Sequence, residues 1–121
     1  MEINEVPRIT SEDLKQLIDK GEKVVIIDTR KNNIYNEEHI KGAVNIYYNP
    51  AGDPVEREMT LTALPADKLL VLYCDCLDDS ESAIMAMELR SLRYDVDKVM
   101  ALSQGFARWK DLGYPTEKSE N

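Results

Sequence analysis

Two thiols stand one residue apart in this chain, Cys74 and Cys76, and they are its only cysteines. A disulfide framework that staples a small extracellular domain joins distant segments, which a Cys-x-Cys pair cannot do. The pair therefore points to local chemistry. Cys74 directly follows the apolar run Leu69-Leu70-Val71-Leu72-Tyr73 and precedes the polar hexad Asp75-Cys76-Leu77-Asp78-Asp79-Ser80. A short apolar run ended by turn-forming residues reads as a buried strand that opens into a loop. Two effects at such a place favour thiolate over thiol. Backbone N–H groups of a curled loop form an anion cradle, and a helix expected to begin near Ser82 points its positive end at it. A lowered thiol pKa is what makes a cysteine reactive. The same cradle could hold a persulfide, an arsenate or a phosphate. The competing reading is a structural cysteine, since unpaired cysteines are among the most buried residue types. The polar hexad favours the reactive one.

Other chemistries are poorly supplied. The two thiols and the lone histidine, His39, offer at most three metal ligands unless a carboxylate joins, and Cys-x-Cys is not a common zinc spacing. No metal and no cofactor is expected. Cysteine-based phosphoryl transfer needs an arginine or other donors around the phosphoryl oxygens. The nearest downstream arginine is Arg90, well into a helical pattern, and the intervening loop is acidic. A net charge of −8 repels phosphate backbones, so nucleic acid is not an expected partner. Surface carboxylates suit a soluble monomer. Met1–Thr10 lacks the charged-then-apolar pattern of a secretory leader, and no apolar run nears the roughly 20 residues of a membrane span. A soluble cytoplasmic protein is the expectation, one domain over residues 1–121 with its core at about 9–115.

The elements that must position Cys74 follow from periodicity. A helix starts at Thr10 or Ser11, with Glu12 and Asp13 at its positive end, buries Leu14, Leu17 and Ile18, and ends at Gly21. Val24–Ile27, ending in Asp28, reads as a strand buried on both faces, and Ala43–Ile46 as a second strand. Residues 49–54 form a loop. A helix is expected over Glu56–Leu64, stopped by Pro65. Leu69–Tyr73 is the strongest strand, Ser82–Tyr94 a helix burying Met85, Leu89 and Leu92, and Lys98–Leu102 another strand. Gly105–Leu112 is the last helix, and residues 116–121 read as a frayed polar tail. Strands alternating with helices imply a parallel α/β sheet covered on both faces, whose ligands bind beyond the carboxyl ends of the strands. Tyr47, Tyr48 and Trp109 read as packing residues.

Three segments carry a family resemblance. Asp28-Thr29-Arg30, Tyr35 and His39-Ile40-Lys41-Gly42-Ala43 form the first, Val71-Leu72-Tyr73-Cys74 the second. Leu102-Ser103-Gln104-Gly105-Phe106-Ala107-Arg108-Trp109 with Leu112-Gly113-Tyr114-Pro115 forms the third. In this order and spacing they resemble the rhodanese family. The resemblance implies a rhodanese-like fold, a five-stranded parallel sheet flanked by helices on both faces. It also implies sulfane-sulfur transfer through a persulfide on Cys74. Carried over by position, the substrate-binding cradle is Asp75, Leu77, Asp78, Asp79, Ser80, Glu81 and Ser82, with Arg30 near the pocket. His39, Gly42 and Trp109 match structural positions. This chain departs from the pattern at Ile34, where the family usually has glutamate, at Glu38, where it has glycine, and at Glu81, near the usual loop arginine. Its loop is also longer than the common one, as in family members with a Cys-x-Cys loop.

Asp75, Asp78, Asp79 and Glu81 follow Cys74 closely, and negative charge there raises a thiol pKa and repels an anionic donor. The outcome depends on whether these carboxylates face the pocket or solvent. The expected partners are a small-molecule sulfur donor, a thiol acceptor and, as a further candidate, a sulfur-relay protein. Cys76 could resolve the persulfide by disulfide closure or be a bystander. Two alternatives use the same fold: a thiol–disulfide redox or sulfur-sensing module, and a non-catalytic interaction domain.

Overall fold

The structure is a computed structural model and describes residues 5–75, 79–92 and 96–119. Among these residues, seven strands and five α-helices follow one another as β1 (Arg8–Ile9), α1 (Ser11–Asp19), β2 (Val24–Asp28), α2 (Asn32–Glu37), β3 (His39–Ile40), β4 (Val44–Asn45), α3 (Pro54–Thr62), β5 (Leu69–Tyr73), α4 (Ser80–Ser91), β6 (Val99–Leu102), α5 (Gly105–Asp111) and β7 (Thr116–Glu117), with a 3-10 turn at Val96–Lys98 before β6. Five strands form one sheet in the order β1-β6-β5-β2-β4, and every pairing in it is parallel. β5 lies in the middle, with Val24–Asp28 in register beside Leu69–Tyr73.

Alternation along these strands divides the core into two layers. Ile27, Leu70, Leu72, Val99 and Ala101 pack toward Leu61 of α3 and Met85, Ala86 and Leu89 of α4. Ile9, Ile26, Val71, Tyr73 and Leu102 pack toward Leu14 of α1 and Phe106 and Trp109 of α5. A strand whose two faces are both covered reads as the continuous apolar run seen at Leu69–Tyr73. Each fully buried leucine or isoleucine in these layers contributes about 1.5–3 kcal/mol. None of the helices among the described residues is long and apolar enough to cross a membrane.

Several boundaries differ from the expected ones, for local reasons. Thr10 caps α1, its Oγ1 accepting from the Asp13 N–H at 3.1 Å. α3 begins at Pro54 rather than Glu56, because Asp53 accepts from the Val55 N–H and proline fits a first helical turn. α4 begins at Ser80, two residues before Ser82, because the Asp79 carbonyl already accepts from Ala83 N–H and Ser82 Oγ. The expected end of that helix at Tyr94 lies outside the described residues. β4 is shorter than Ala43–Ile46, whose first residue is bonded back to the Ile40 carbonyl.

The tail is not frayed over its described part. Thr116–Glu117 pairs antiparallel with His39–Ile40, and the Gly42 N–H donates to Glu117 Oε2 at 2.7 Å. His39 is buried, stacked on the Tyr35 ring at 3.8 Å, and its Nδ1–H donates to the Tyr35 carbonyl. Trp109 donates from Nε1 to the Pro115 carbonyl at 2.9 Å, which holds the same strand from the other side.

Candidate active site

The carboxyl ends of β5 and β2 meet at Cys74 and Asp28. Cys74 follows the last residue of β5 and is fully buried. Its carbonyl accepts from the Phe106 N–H at 2.9 Å, which ties the start of α5 to the backbone of Cys74. The position thus meets both sequence readings: buried, as a structural cysteine would be, and at the strand end, as a reactive one would be.

Asp28 organises the neighbouring strand end. Its buried carboxylate accepts from Arg30 Nε at 3.0 and 3.1 Å, from Arg30 Nη2 at 2.8 Å and from the Arg30 backbone N–H at 2.8 Å. Tyr73 Oη donates to the same carboxylate at 2.8 Å and accepts from the Ile40 N–H at 3.1 Å. Burial first, then the Asp28 charge, pushes the Tyr73 phenol far up, so it stays a neutral donor. Burial alone would lower the Arg30 pKa, but hydrogen bonding and charge from Asp28 outweigh it, and the guanidinium is held even more firmly charged. Arg30 also donates to the Glu38 carbonyl at 2.7 Å and lies over the Phe106 ring at 4.4 Å. Its remaining edge, Nη1, faces Asp75 Oδ1 at 3.8 Å.

The acidic segment after Cys74 is therefore partly neutralised. Asp75 is exposed and faces Arg30. Asp79 is nearly buried and points elsewhere: its carboxylate takes Arg8 Nη2 of β1 at 3.0 Å. Its backbone is left-handed, at φ +50°, a conformation aspartate tolerates better than most residues. Glu81 is exposed on the first turn of α4. Ser80, Glu81 and Ser82 thus belong to the helix rather than to the loop, and the buried Ser82 hydroxyl bonds the Asp79 carbonyl at 2.9 Å. Cys76, Leu77 and Asp78 lie outside the described residues.

A cavity of about 520 Å³ opens between α2 and α5, lined by Asp75, the residue after Cys74, but not by the buried Cys74 itself. Arg30, Asp75 and Phe106 form its inner wall, Ile34 and Ala107 add apolar surface, and charged residues of both signs ring the mouth. Ile34 thus brings an apolar side chain to the cavity where the family usually has glutamate. Glu38, in place of glycine, has extended backbone at φ −171° that any residue adopts. Its carboxylate takes Lys110 Nζ and Thr116 Oγ1, both at 2.7 Å, and those two hydrogen bonds hold its pKa below the usual carboxylate range.

Among the described residues, Arg30, two positions past the end of β2, is the sequence candidate from outside the Cys74 segment that the structure brings beside Asp75. Asp28 and Arg8 were missed as positioning groups. The Asp28-x-Arg30 spacing at a strand end was a usable signal for the first. Arg8 and Asp79 lie 71 positions apart and carry none. Of the tyrosines, Tyr48 packs on the core beneath Arg57, whereas Tyr47 is exposed at a separate cavity near α3. Among the described residues no cluster of side chains suits a metal ion.

Comparison with known proteins agrees with this arrangement. The family model described as rhodanese-like domain matches residues 10–112. A Buchnera aphidicola (subsp. Schizaphis graminum) protein described as uncharacterized is 27% identical over 100 residues, 82% of this chain. This chain spans 62% of that relative's length. Among solved structures, the rhodanese-like domain of the Anabaena Alr3790 protein is 27% identical, with a TM-score of 0.73 over 98% of this chain and 80% of that one. A thiosulfate sulfurtransferase of Pseudomonas aeruginosa shares the fold at 20% identity and a TM-score of 0.76, covering 98% of this chain and 21% of its own. With the family model spanning β5, Cys74 and both flanking segments, the chain belongs to the rhodanese-like domain family.

Proposed function

We propose that this protein is a sulfurtransferase that carries sulfane sulfur as a persulfide on Cys74. The observation that best supports the reading is the placement of Cys74 at the carboxyl end of the central strand, directly before Asp75, which lines a cavity with Arg30 and Phe106. Family membership and the fold shared with a thiosulfate sulfurtransferase point the same way.

In the first half-reaction the Cys74 thiolate attacks the outer sulfur of a donor. The Cys74 S–S bond forms, the donor's S–S bond breaks, and the donor's inner sulfur leaves with the electron pair, as sulfite from thiosulfate or as a thiolate from an organic persulfide. In the second, an acceptor thiolate attacks the outer sulfur, forms its own persulfide and returns Cys74 as thiolate. α4 begins at Ser80, six positions after Cys74, and the N–H groups and positive dipole end of a helix's first turn favour an anionic sulfur near it. Cys76 could attack the Cys74 sulfur of the persulfide and release hydrosulfide, leaving a Cys74–Cys76 disulfide.

The test is turnover: sulfide release from a sulfane-sulfur donor with excess thiol as acceptor. We expect catalysis by the wild-type chain and by Cys76→Ser, and none by Cys74→Ser. Full activity in Cys74→Ser would remove the assignment. A disulfide that forms and reduces without sulfur transfer would favour the redox module, and neither behaviour would favour an interaction domain.

A further inference from the structure

We propose that Arg8 is a positioning residue for sulfur transfer: it holds the Asp79 carboxylate away from the first turn of α4, leaving that turn to the anionic sulfur on Cys74. The inference rests on the sulfur-transfer reading and names a residue that tunes it. Arg8 lies outside residues 10–112, which match the family model, so family membership assigns it no role.

The first N–H groups of a helix have no partner within it, and an aspartate just before the helix is among the best acceptors for them. A capping aspartate has extended backbone, and its side chain accepts from the second or third N–H of the helix. Asp53 before α3 does this, with φ −74° and its carboxylate on the Val55 N–H at 2.9 Å. Asp79 occupies the same place before α4, where the corresponding donors are Glu81 and Ser82, yet it behaves otherwise. Its backbone is left-handed, at φ +50° and ψ +17°, and its side chain makes no cap hydrogen bond. The carboxylate goes instead to Arg8 Nη2 at 3.0 Å. Left-handed backbone is unfavourable for a residue with a Cβ. Without Arg8, both the backbone and the carboxylate of Asp79 would therefore gain by moving to the capping form, which lays a fixed anion on the first turn of α4.

The sheet brings Arg8 close to the Cys74 end of β5. Register lines up Arg8, Ala101 and Leu72 across β1, β6 and β5. Neighbouring strands lie about 4.8 Å apart and rise about 3.3 Å per residue, so Arg8 stands roughly 10 Å across from Leu72, and Cys74 roughly 7 Å further along β5. Alternation puts Arg8 on the sheet face of Ala101 and Leu72, the face that α4 covers. Asp79, held there, closes the loop that leaves Cys74 five positions earlier. At the near end of the same loop the Phe106 N–H fixes the Cys74 carbonyl, and Arg30 faces Asp75. β6 and β1 lie on one side of β5 and β2 on the other. Arg8 and Arg30 thus draw the two acidic side chains to opposite sides of the strand that ends at Cys74.

The experiment compares Arg8→Met, Asp79→Gly and the double variant in the reduced protein. Two reactions are followed at Cys74 by peptide mapping: gain of one sulfur from cysteine persulfide, and alkylation by iodoacetamide across a range of pH. Both single variants lose the same ion pair. Only Arg8→Met keeps a carboxylate to lay on α4, whereas glycine keeps the left-handed turn without strain. Sulfur gain should therefore be about fivefold slower in Arg8→Met than in Asp79→Gly, the worth of one helix cap. The alkylation midpoint of Arg8→Met should also lie at higher pH than that of Asp79→Gly, because the carboxylate now opposes the thiolate. The double variant should match Asp79→Gly, and Arg8→Lys, which keeps a cation for Asp79, should stay nearer the wild type. Arg8→Met as fast as Asp79→Gly or faster, or a double variant as slow as Arg8→Met, would overturn the inference and leave Arg8 a structural tie. If the wild type gains no sulfur, the sulfur-transfer reading fails, and the alkylation midpoints still decide whether Arg8 keeps Asp79 off the helix.

Discussion

Replacing Asp28 with alanine removes the carboxylate on which the inner wall of the cavity is built. Arg30, whose side chain is 6% exposed, then keeps its charge with its main partner gone. Breaking a buried ion pair from one side costs about 3–5 kcal/mol. The Glu38 carbonyl, the Phe106 ring and exposed Asp75 still face the guanidinium, which argues for the lower end of that range. Tyr73 Oη loses its acceptor as well, a further loss of about 1 kcal/mol. The expected total is about 4 kcal/mol, a large share of the roughly 5–15 kcal/mol that holds a domain folded. Urea unfolding followed by the fluorescence of Trp109, the only tryptophan and a core residue, would measure it. The double variant Asp28→Ala/Arg30→Leu removes the stranded charge, so it should be more stable than Asp28→Ala alone. A loss under about 1 kcal/mol for the single variant, or a double variant as unstable as the sum of both singles, would refute the argument.

The remaining predictions concern the supports of the site and the tail. Ser11 Oγ is buried and has no hydrogen-bond partner among the described residues, so Ser11→Ala should leave stability unchanged or raise it by up to about 1 kcal/mol; a clear loss in thermal unfolding would reveal a partner. Asp79→Asn keeps a residue that tolerates the left-handed backbone but loses the charged bond to Arg8, about 1–2 kcal/mol. Asp79→Gly loses the same bond yet relaxes φ, so it should melt no lower than the asparagine variant, and a distinctly lower melting temperature would contradict this. Glu117 is held below the usual carboxylate range by the Gly42 N–H first and by His39, and Glu38 by Lys110 and Thr116. Both pKa values are depressed on folding, so the tethering of β7 is fully present above the unfolded carboxylate pKa of about 4.3 and is lost as pH falls through the folded values. The protection factor of the Lys41 amide, whose N–H donates to the Pro115 carbonyl, should therefore fall in acid, relative to the intrinsic exchange rate at each pH, and in Glu117→Gln at neutral pH. Unchanged protection in both would count against the tether.

What could be read in advance follows from which physical signals are local. The apolar runs at Val24–Ile27 and Leu69–Tyr73 announced doubly covered strands because both sheet faces are packed. Leu14, Met85 and Leu89 announced the helix faces by spacing. β1 was invisible because Arg8–Ile9 is too short to show a period, and it enters the sheet only through its pairing with Ala101 and Leu102. The tail reads as polar, yet it pairs through backbone groups, and the carboxylate of Glu117 reaches Gly42 75 positions away. At the site, a cysteine after a buried strand was legible as a candidate nucleophile. The direction of the acidic side chains was not. It is set by Arg8 on β1 and Arg30 just past β2, which draw Asp79 and Asp75 toward themselves.

Intact mass of the reduced protein after incubation with a sulfane-sulfur donor, with and without later reduction, tests the central proposal most directly. Sulfur carriage on Cys74 predicts a gain of one sulfur atom that mapping places on Cys74, that reductant removes and that Cys74→Ser lacks. A mass unchanged by every donor, or a sulfur gained equally well by Cys74→Ser, would contradict it.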